Sequence, residues 1–218
     1  MKPLILVNFK TYPEATGKKS LPLARKISQV RKQKYQLAVA PSILNLKEVS
    51  EKTKLWTFSQ HTDSVDLGAH TGRIPAKELK QIGVTGTILN HSERKIPFNF
   101  LKKIMENCKK ERLKTVICAS TISEVKKVAK LKPNYIAYEP EELIGGNISV
   151  TESQPVIIVR AVKAARSISP KTKVLIGAGI HSKEDLEHAF LLGAKGVLIG
   201  HAVAQAKDPT KFLREMLP

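Results

Sequence analysis

The sequence predicts an α/β protein, a single (β/α)8 barrel domain over residues 1–218. Three observations carry that expectation. Eight short runs of β-type residues recur along the chain, and most are separated by stretches with apolar residues at helical three-to-four spacing. Strands that alternate with helices pair in parallel through right-handed crossovers, and eight such units suit a closed barrel better than an open sheet. No Pro/Gly/Ser-rich linker divides the 218 residues, a length that single barrels reach.

Taken in order, the first run is Leu4–Phe9, too short for a secretory signal and ending in Asn8-Phe9-Lys10. Side chains alternate along a strand, so Asn8 and Lys10 are expected on one side. Leu37–Ala40 and Leu55–Ser59 follow, the latter running into Gln60-His61. Thr87–Leu89 leads into Asn90-His91-Ser92-Glu93-Arg94, five polar groups at one strand tip, and then a helix over Phe98–Arg112. After Thr115–Cys118 comes a helix over Ser120–Lys130, with Thr121 at its start. Tyr135–Tyr138 ends at Glu139, which Pro140 biases toward an extended backbone. The loop from Glu141 to Ile148 carries the flexible pair Gly145-Gly146 and precedes a helix over Gln154–Ser167. Val174–Ile176 runs into Gly177-Ala178-Gly179. A helix over Lys183–Leu192 opens on the capping spacing Ser182/Asp185 and stops at Gly193. Val197–Ile199 runs into Gly200-His201.

Lys+Arg 37 against Asp+Glu 19 gives a net charge of +18, which attracts anions: nucleic acid, a membrane surface or a phosphorylated metabolite. The lysines are scattered, with pairs such as Lys18-Lys19 and Lys102-Lys103 on helix faces. No arginine-rich run or helix-turn-helix signal accompanies them, so solvated helix faces are favoured over a nucleic-acid surface. No apolar run reaches the ~20 residues that span a bilayer. Cys108 and Cys118 show no metal-ligand spacing, which leaves no metal expected and a reducing cytoplasm as the simplest setting. Core packing is the favoured role for Cys118.

In a barrel, chemistry belongs at the carboxyl ends of the strands. The loops after strands 7 and 8 commonly hold a phosphate, and glycines such as Gly179 and Gly200 let backbone N–H groups approach an anion closely. Taken alone, Glu139 reads as a surface carboxylate before an ordinary turn. Beside a loop with a stiff near end and a loose far end, it also reads as a base under a lid. Asn8 and Lys10 could equally face solvent, and His91 could simply bond backbone.

Several stretches together carry a resemblance: NFK at residues 8–10, NHSER at 90–94, AYEPEELIG at 137–145, and VLIGAGI with GVLIGHA near the end. In this order and spacing, over essentially the whole chain, they resemble the triosephosphate isomerase family, and the short length resembles its archaeal branch. The resemblance implies interconversion of dihydroxyacetone phosphate and glyceraldehyde 3-phosphate through a cis-enediolate, with no cofactor. It implies that Glu139 is the base and His91 the electrophile, neutral at a helix N-terminus as the family is known for. Lys10 would supply positive charge, Asn8 would shape the pocket, and Glu93 would orient or balance Lys10. Substrate would be held by Asn8 and Lys10, and its phosphate by backbone near Ile144, Gly145, Gly179, Gly200 and His201. The loop Gly68–Ile74, GAHTGRI, resembles the family's subunit contact, with Thr71 reaching a neighbour's pocket near Lys10. That implies a homodimer, with a tetramer open.

The chain departs from the family pattern in places. Gly145-Gly146-Asn147 stands where Gly-Thr-Gly is usual, and Asn tolerates left-handed dihedrals, so the loop can still close. His201 stands where a small residue is usual, which puts a titratable ring near the phosphate. Gly179 follows the archaeal pattern, where other relatives carry serine. Two other readings stay open. Phosphoribosylanthranilate isomerase and indole-glycerol-phosphate synthase share the late glycines, though not NFK, NHSE and YEP at strands 1, 4 and 6. A catalytically inactive, basic nucleic-acid-binding barrel would account for the charge.

Overall fold

The computed structural model describes residues 2–30, 33–140, 155–180 and 182–217. Its eight strands close in chain order into a barrel: β1 (Leu4–Asn8), β2 (Gln36–Ala40), β3 (Trp56–Ser59), β4 (Gly86–Leu89), β5 (Lys114–Ala119), β6 (Tyr135–Tyr138), β7 (Lys173–Ile176) and β8 (Gly196–Ile199). Every neighbour is parallel, and β8 returns to β1 with Leu4 opposite Gly196 and Val7 opposite Ile199. The expected strands therefore all form, most of them shifted by one residue at an end.

Between the strands run α1 (Ser20–Ser28), α2 (Ile43–Lys52), α3 (Ala76–Gln81), α4 (Phe98–Lys110), α5 (Ile122–Ala129), α6 (Pro155–Ile168) and α7 (Lys183–Leu191). A short α8 (His201–Ala204) and α9 (Pro209–Met216) follow the last strand. Local chemistry sets the ends. Thr121 accepts the Glu124 N–H and so caps α5 from outside, which is why that helix begins after Ser120. Ser182 and Asp185 form the expected reciprocal capping box. The helix after β4 stops at Lys110, two residues short of expectation, because Arg112 turns left-handed at φ 55°.

Two apolar clusters follow from the period of two along each strand. Leu4 and Leu6, Phe58, Ile88, Val116 and Cys118, Tyr135 and Ala137, Leu175 and Leu198 fill the barrel interior. Ile5 and Val7, Val39, Ile117, Ile136, Val174 and Val197 alternate outward and pack with the helices. Continuing the inward set one step toward the carboxyl ends lands on Asn8, Glu139, Gly177 and Gly200. The same alternation that builds the core therefore aims these positions at the barrel mouth.

Candidate active site

Lys10 departs from the expected strand. β1 ends at Asn8, and Lys10 takes a left-handed turn at φ 45°, so the two do not share a strand face. A non-glycine residue there costs on the order of 1 kcal/mol, and neighbours must hold it. Asn8 Oδ1 accepts the Lys10 N–H at 3.0 Å. Gln60 Nε2 donates to the Lys10 carbonyl and to that of Ala40, each at 2.9 Å. The turn throws the side chain back across the mouth, where Lys10 Nζ donates to Glu93 Oε1 at 2.6 Å. Burial opposes the ammonium charge, but the Glu93 hydrogen bond and carboxylate, with smaller help from Tyr12 and Glu139, outweigh it and hold Lys10 above its ordinary value.

His91 follows another left-handed residue, Asn90 at φ 57°. Asn90 Oδ1 accepts the Ile96 N–H at 2.9 Å, while its amide donates to the Cys118 carbonyl at 3.0 Å and to Glu124 Oε1 at 2.8 Å. Glu124 Oε2 also accepts from the Ser120 N–H at 2.8 Å and lies 3.3 Å from Lys95 Nζ. Despite partial burial, these donors hold the Glu124 carboxyl below its ordinary value. The turn presents the Glu93 N–H to His91 Nδ1 at 3.2 Å. An accepting Nδ1 leaves the proton on Nε2, which points to Glu139 Oε1 at 3.7 Å. Burial lowers the His91 pKa, Lys10 and Lys95 lower it further, and Glu93 only partly offsets them. The ring is therefore neutral, and its 3.7 Å approach to each of two carboxylates is a polar contact rather than an ion pair.

Glu139 is 5% exposed. Burial pushes its carboxyl up to about 7, against the Cys118 thiol hydrogen bond and the charges of Lys10 and Lys95. Cys118 lies in the barrel interior as expected, and burial together with Glu139 pushes its thiol up. Gly177, just past the end of the neighbouring strand β7, makes room for the carboxylate: a Cβ there would overlap Glu139 Cγ and sit 2.8 Å from Oε1. The resulting group is a carboxylate poised near neutrality, facing a neutral imidazole N–H, with one fixed ammonium alongside. Such a trio suits removal of a weakly acidic proton next to a carbonyl, which needs a base and an electrophile in a dry site.

The structure thus brings together Asn8, Lys10, His91, Glu93 and Glu139, drawn from the first, fourth and sixth strand ends. Gly200 joins them, since a Cβ there would lie 3.5 Å from Lys10 Cε. Gly179 is buried in the seventh loop at φ 68°, a conformation glycine adopts freely. His201 opens α8 and is exposed. Ile144 and Gly145, with the rest of the expected lid, lie outside the described residues. Sequence reasoning missed Gln60, Glu124 and Gly177 as supports. Gly177 carried a usable signal, because Leu175 faces inward and the next inward position, just past β7, adjoins Glu139. The Gly68–Ile74 loop is exposed from Gly68 to Arg73, with a fixed base: Asp63 accepts from the Ile74 N–H at 2.9 Å and from Arg73 at 3.0 Å.

Comparison with known proteins bears on the family of the chain. The family model for triosephosphate isomerase matches residues 3–216. A protein named triosephosphate isomerase from Methanothermus fervidus is 36% identical over 217 residues, covering 99% of this chain and 98% of its own length. Those of Methanocaldococcus jannaschii, 37% identical over 98% of both chains, and Methanosarcina mazei, 36% identical over 99% of this chain and 97% of its own, are equally similar. The chain belongs to the triosephosphate isomerase family.

Proposed function

We propose that the chain interconverts dihydroxyacetone phosphate and glyceraldehyde 3-phosphate, with Glu139 as the base, His91 as the electrophile and Lys10 as the fixed positive charge. The observation that carries this is the burial of Glu139 opposite the His91 Nε2 proton, beside a paired lysine. Glu139 takes a proton from the carbon next to the carbonyl, and the C–H electron pair moves to form the enediolate. The carbonyl oxygen gains negative charge, which His91 Nε2–H and the Lys10 ammonium stabilise. Glu139 then returns a proton to the neighbouring carbon while His91 relays protons between the two oxygens. Asn8 supports the Lys10 turn and Glu93 holds its ammonium. The phosphate is held by backbone around Ile144, Gly145, Gly179, Gly200 and His201. A lid over 141–148 that closes on the phosphate would spend remote binding energy on the reacting end.

The same reading includes one domain over 1–218, supported by a barrel that closes its first strand on its last. It includes a homodimer or homotetramer built on the Gly68–Ile74 loop, supported by the exposure and anchored base of that loop; sedimentation of the pure protein at a monomer mass would remove it. It places the enzyme in the cytoplasm, consistent with two buried free cysteines. No described helix is long and apolar enough to cross a membrane. An assay coupled to each triose phosphate tests the activity. Turnover by the wild type that is lost in Glu139→Gln supports Glu139 as the base, and equal turnover by both sinks that role.

A further inference from the structure

The amino-terminal rim of the barrel is built differently from the carboxyl mouth. Beside the starts of β5, β6 and β7 lies a cavity of about 610 Å³. Lys114, Lys132, Lys171 and Lys173 line it, Pro133, Ile168 and Pro170 form an apolar wall, and among the described residues no aspartate or glutamate lines it. Two of the ammoniums are held in place over aromatic rings, Lys114 Nζ 4.9 Å from the Trp56 centroid and Lys173 Nζ 5.7 Å from that of Tyr135. Lys195, the residue before β8, adds to the same field. Burial, followed by repulsion from Lys114 and Lys195, holds the Lys173 ammonium below its ordinary value. Like charges fixed around one cavity repel, and an anion placed among them relieves that repulsion.

We propose that this cavity binds a small anion carrying two or more adjacent phosphates. The volume lies within the range of small-molecule sites, and four lysines lining one cavity carry more positive charge than a single phosphate neutralises, which suits a chain of phosphates rather than one. A nucleic-acid strand fits less well. Tyr135 is only 4% exposed and each of the two rings already carries a lysine, which leaves little aromatic surface for stacking bases. The phosphates could come from an inorganic polyphosphate or from a nucleoside polyphosphate whose base lies on the Pro133–Ile168–Pro170 wall. Tyr135 begins the strand that Glu139 follows, so this site sits about 13 Å along the strand from the catalytic carboxylate. It is independent of the proposed activity.

Calorimetric titration of the intact protein with inorganic tripolyphosphate tests this. One site is expected whose dissociation constant weakens about tenfold or more in Lys132→Gln/Lys171→Gln/Lys173→Gln and with rising salt, and stays unchanged in Lys10→Met. Absence of binding, or binding lost in Lys10→Met and kept in the triple variant, would overturn the proposal, as would an oligonucleotide binding in preference to tripolyphosphate. A parallel titration with ATP separates the two sources: clearly tighter binding than tripolyphosphate identifies a nucleoside ligand, and equal affinity identifies the phosphate chain alone. Should the triple variant fail to fold, acylation of wild-type amines gives the answer. Tripolyphosphate is expected to shield Lys114 and Lys173, and labelling that ignores its presence refutes the site.

Discussion

The two ends of the barrel use lysine in opposite ways. At the carboxyl mouth Lys10 meets Glu93 at 2.6 Å and Lys95 meets Glu124 at 3.3 Å, while Glu139 stands buried among them. At the amino rim four lysines line a cavity with no acid among its described lining residues. The net charge of +18 therefore says little about the proposed chemistry. What matters at the mouth is placement: burial lifts Glu139 toward neutrality, and burial, helped by Lys10 and Lys95, lowers the pKa of His91. Among its described lining residues the rim cavity gathers charge of one sign, which suits the proposed anion.

Substitutions at the mouth should therefore be costly and those at the rim cheap. The largest effect is expected for Glu139→Gln, a fall in kcat of about 10³ or more, the upper range for loss of a general base, read by the coupled assay.

Stability should move the other way. Glu139 has a folded value of about 7 against an ordinary 4.5, so the folded state holds the extra proton between those pH values. Its contribution is most favourable below about 4.5 and falls as pH rises to about 7, by about 3 kcal/mol. Glu139→Gln lacks that loss, so denaturant titrations at pH 8 should find the variant more stable than wild type. At pH 4.5 the gap should close. A constant gap across this window would mean that the carboxyl is not buried in solution.

Next comes Gly177→Ala. The new methyl forces the Glu139 side chain aside, and a displacement near 1 Å costs about 10² in kcat. Binding of tripolyphosphate at the rim should be untouched, and a variant of normal activity would show that the carboxylate has room the structure denies it. Glu124→Gln should cost less, about tenfold in kcat, because Asn90 keeps two other bonds while the charge opposite Lys95 and one of the two acceptor oxygens are lost. With Lys95 no longer balanced, the acid limb of kcat/KM should also move to lower pH. A normal rate with an unmoved limb would reduce Glu124 to a structural role. The smallest effect belongs to Lys132→Gln/Lys171→Gln, which should leave turnover unchanged.

Much of this architecture was legible in the residues. Uninterrupted apolar runs such as Leu4–Val7 and Val197–Ile199 fit strands buried on both faces, and their alternation with helical stretches let the barrel be counted. The first turn past each strand was less legible. Lys10 and Asn90 are left-handed without being glycine, and nothing in their own sequence context demands it. What enforces those turns comes from far away, Gln60 for Lys10 across 50 residues and Glu124 for Asn90 across 34. A periodicity reading sees neighbours along one element and is blind to such reach. The roles of Glu93 and His91 came from family likeness rather than from spacing. The amino rim was invisible for a related reason, since Lys114, Lys132 and Lys173 look like scattered surface charges until the barrel closes and gathers them.

The proton taken by residue 139 can be followed directly. In D2O, the wild-type enzyme given dihydroxyacetone phosphate should place deuterium on the carbon beside the carbonyl, visible as loss of its proton resonance, and folded Glu139→Gln should not. Deuterium uptake by the variant at the wild-type rate would show that another group moves the proton, and the role assigned to the buried carboxylate would have to be abandoned.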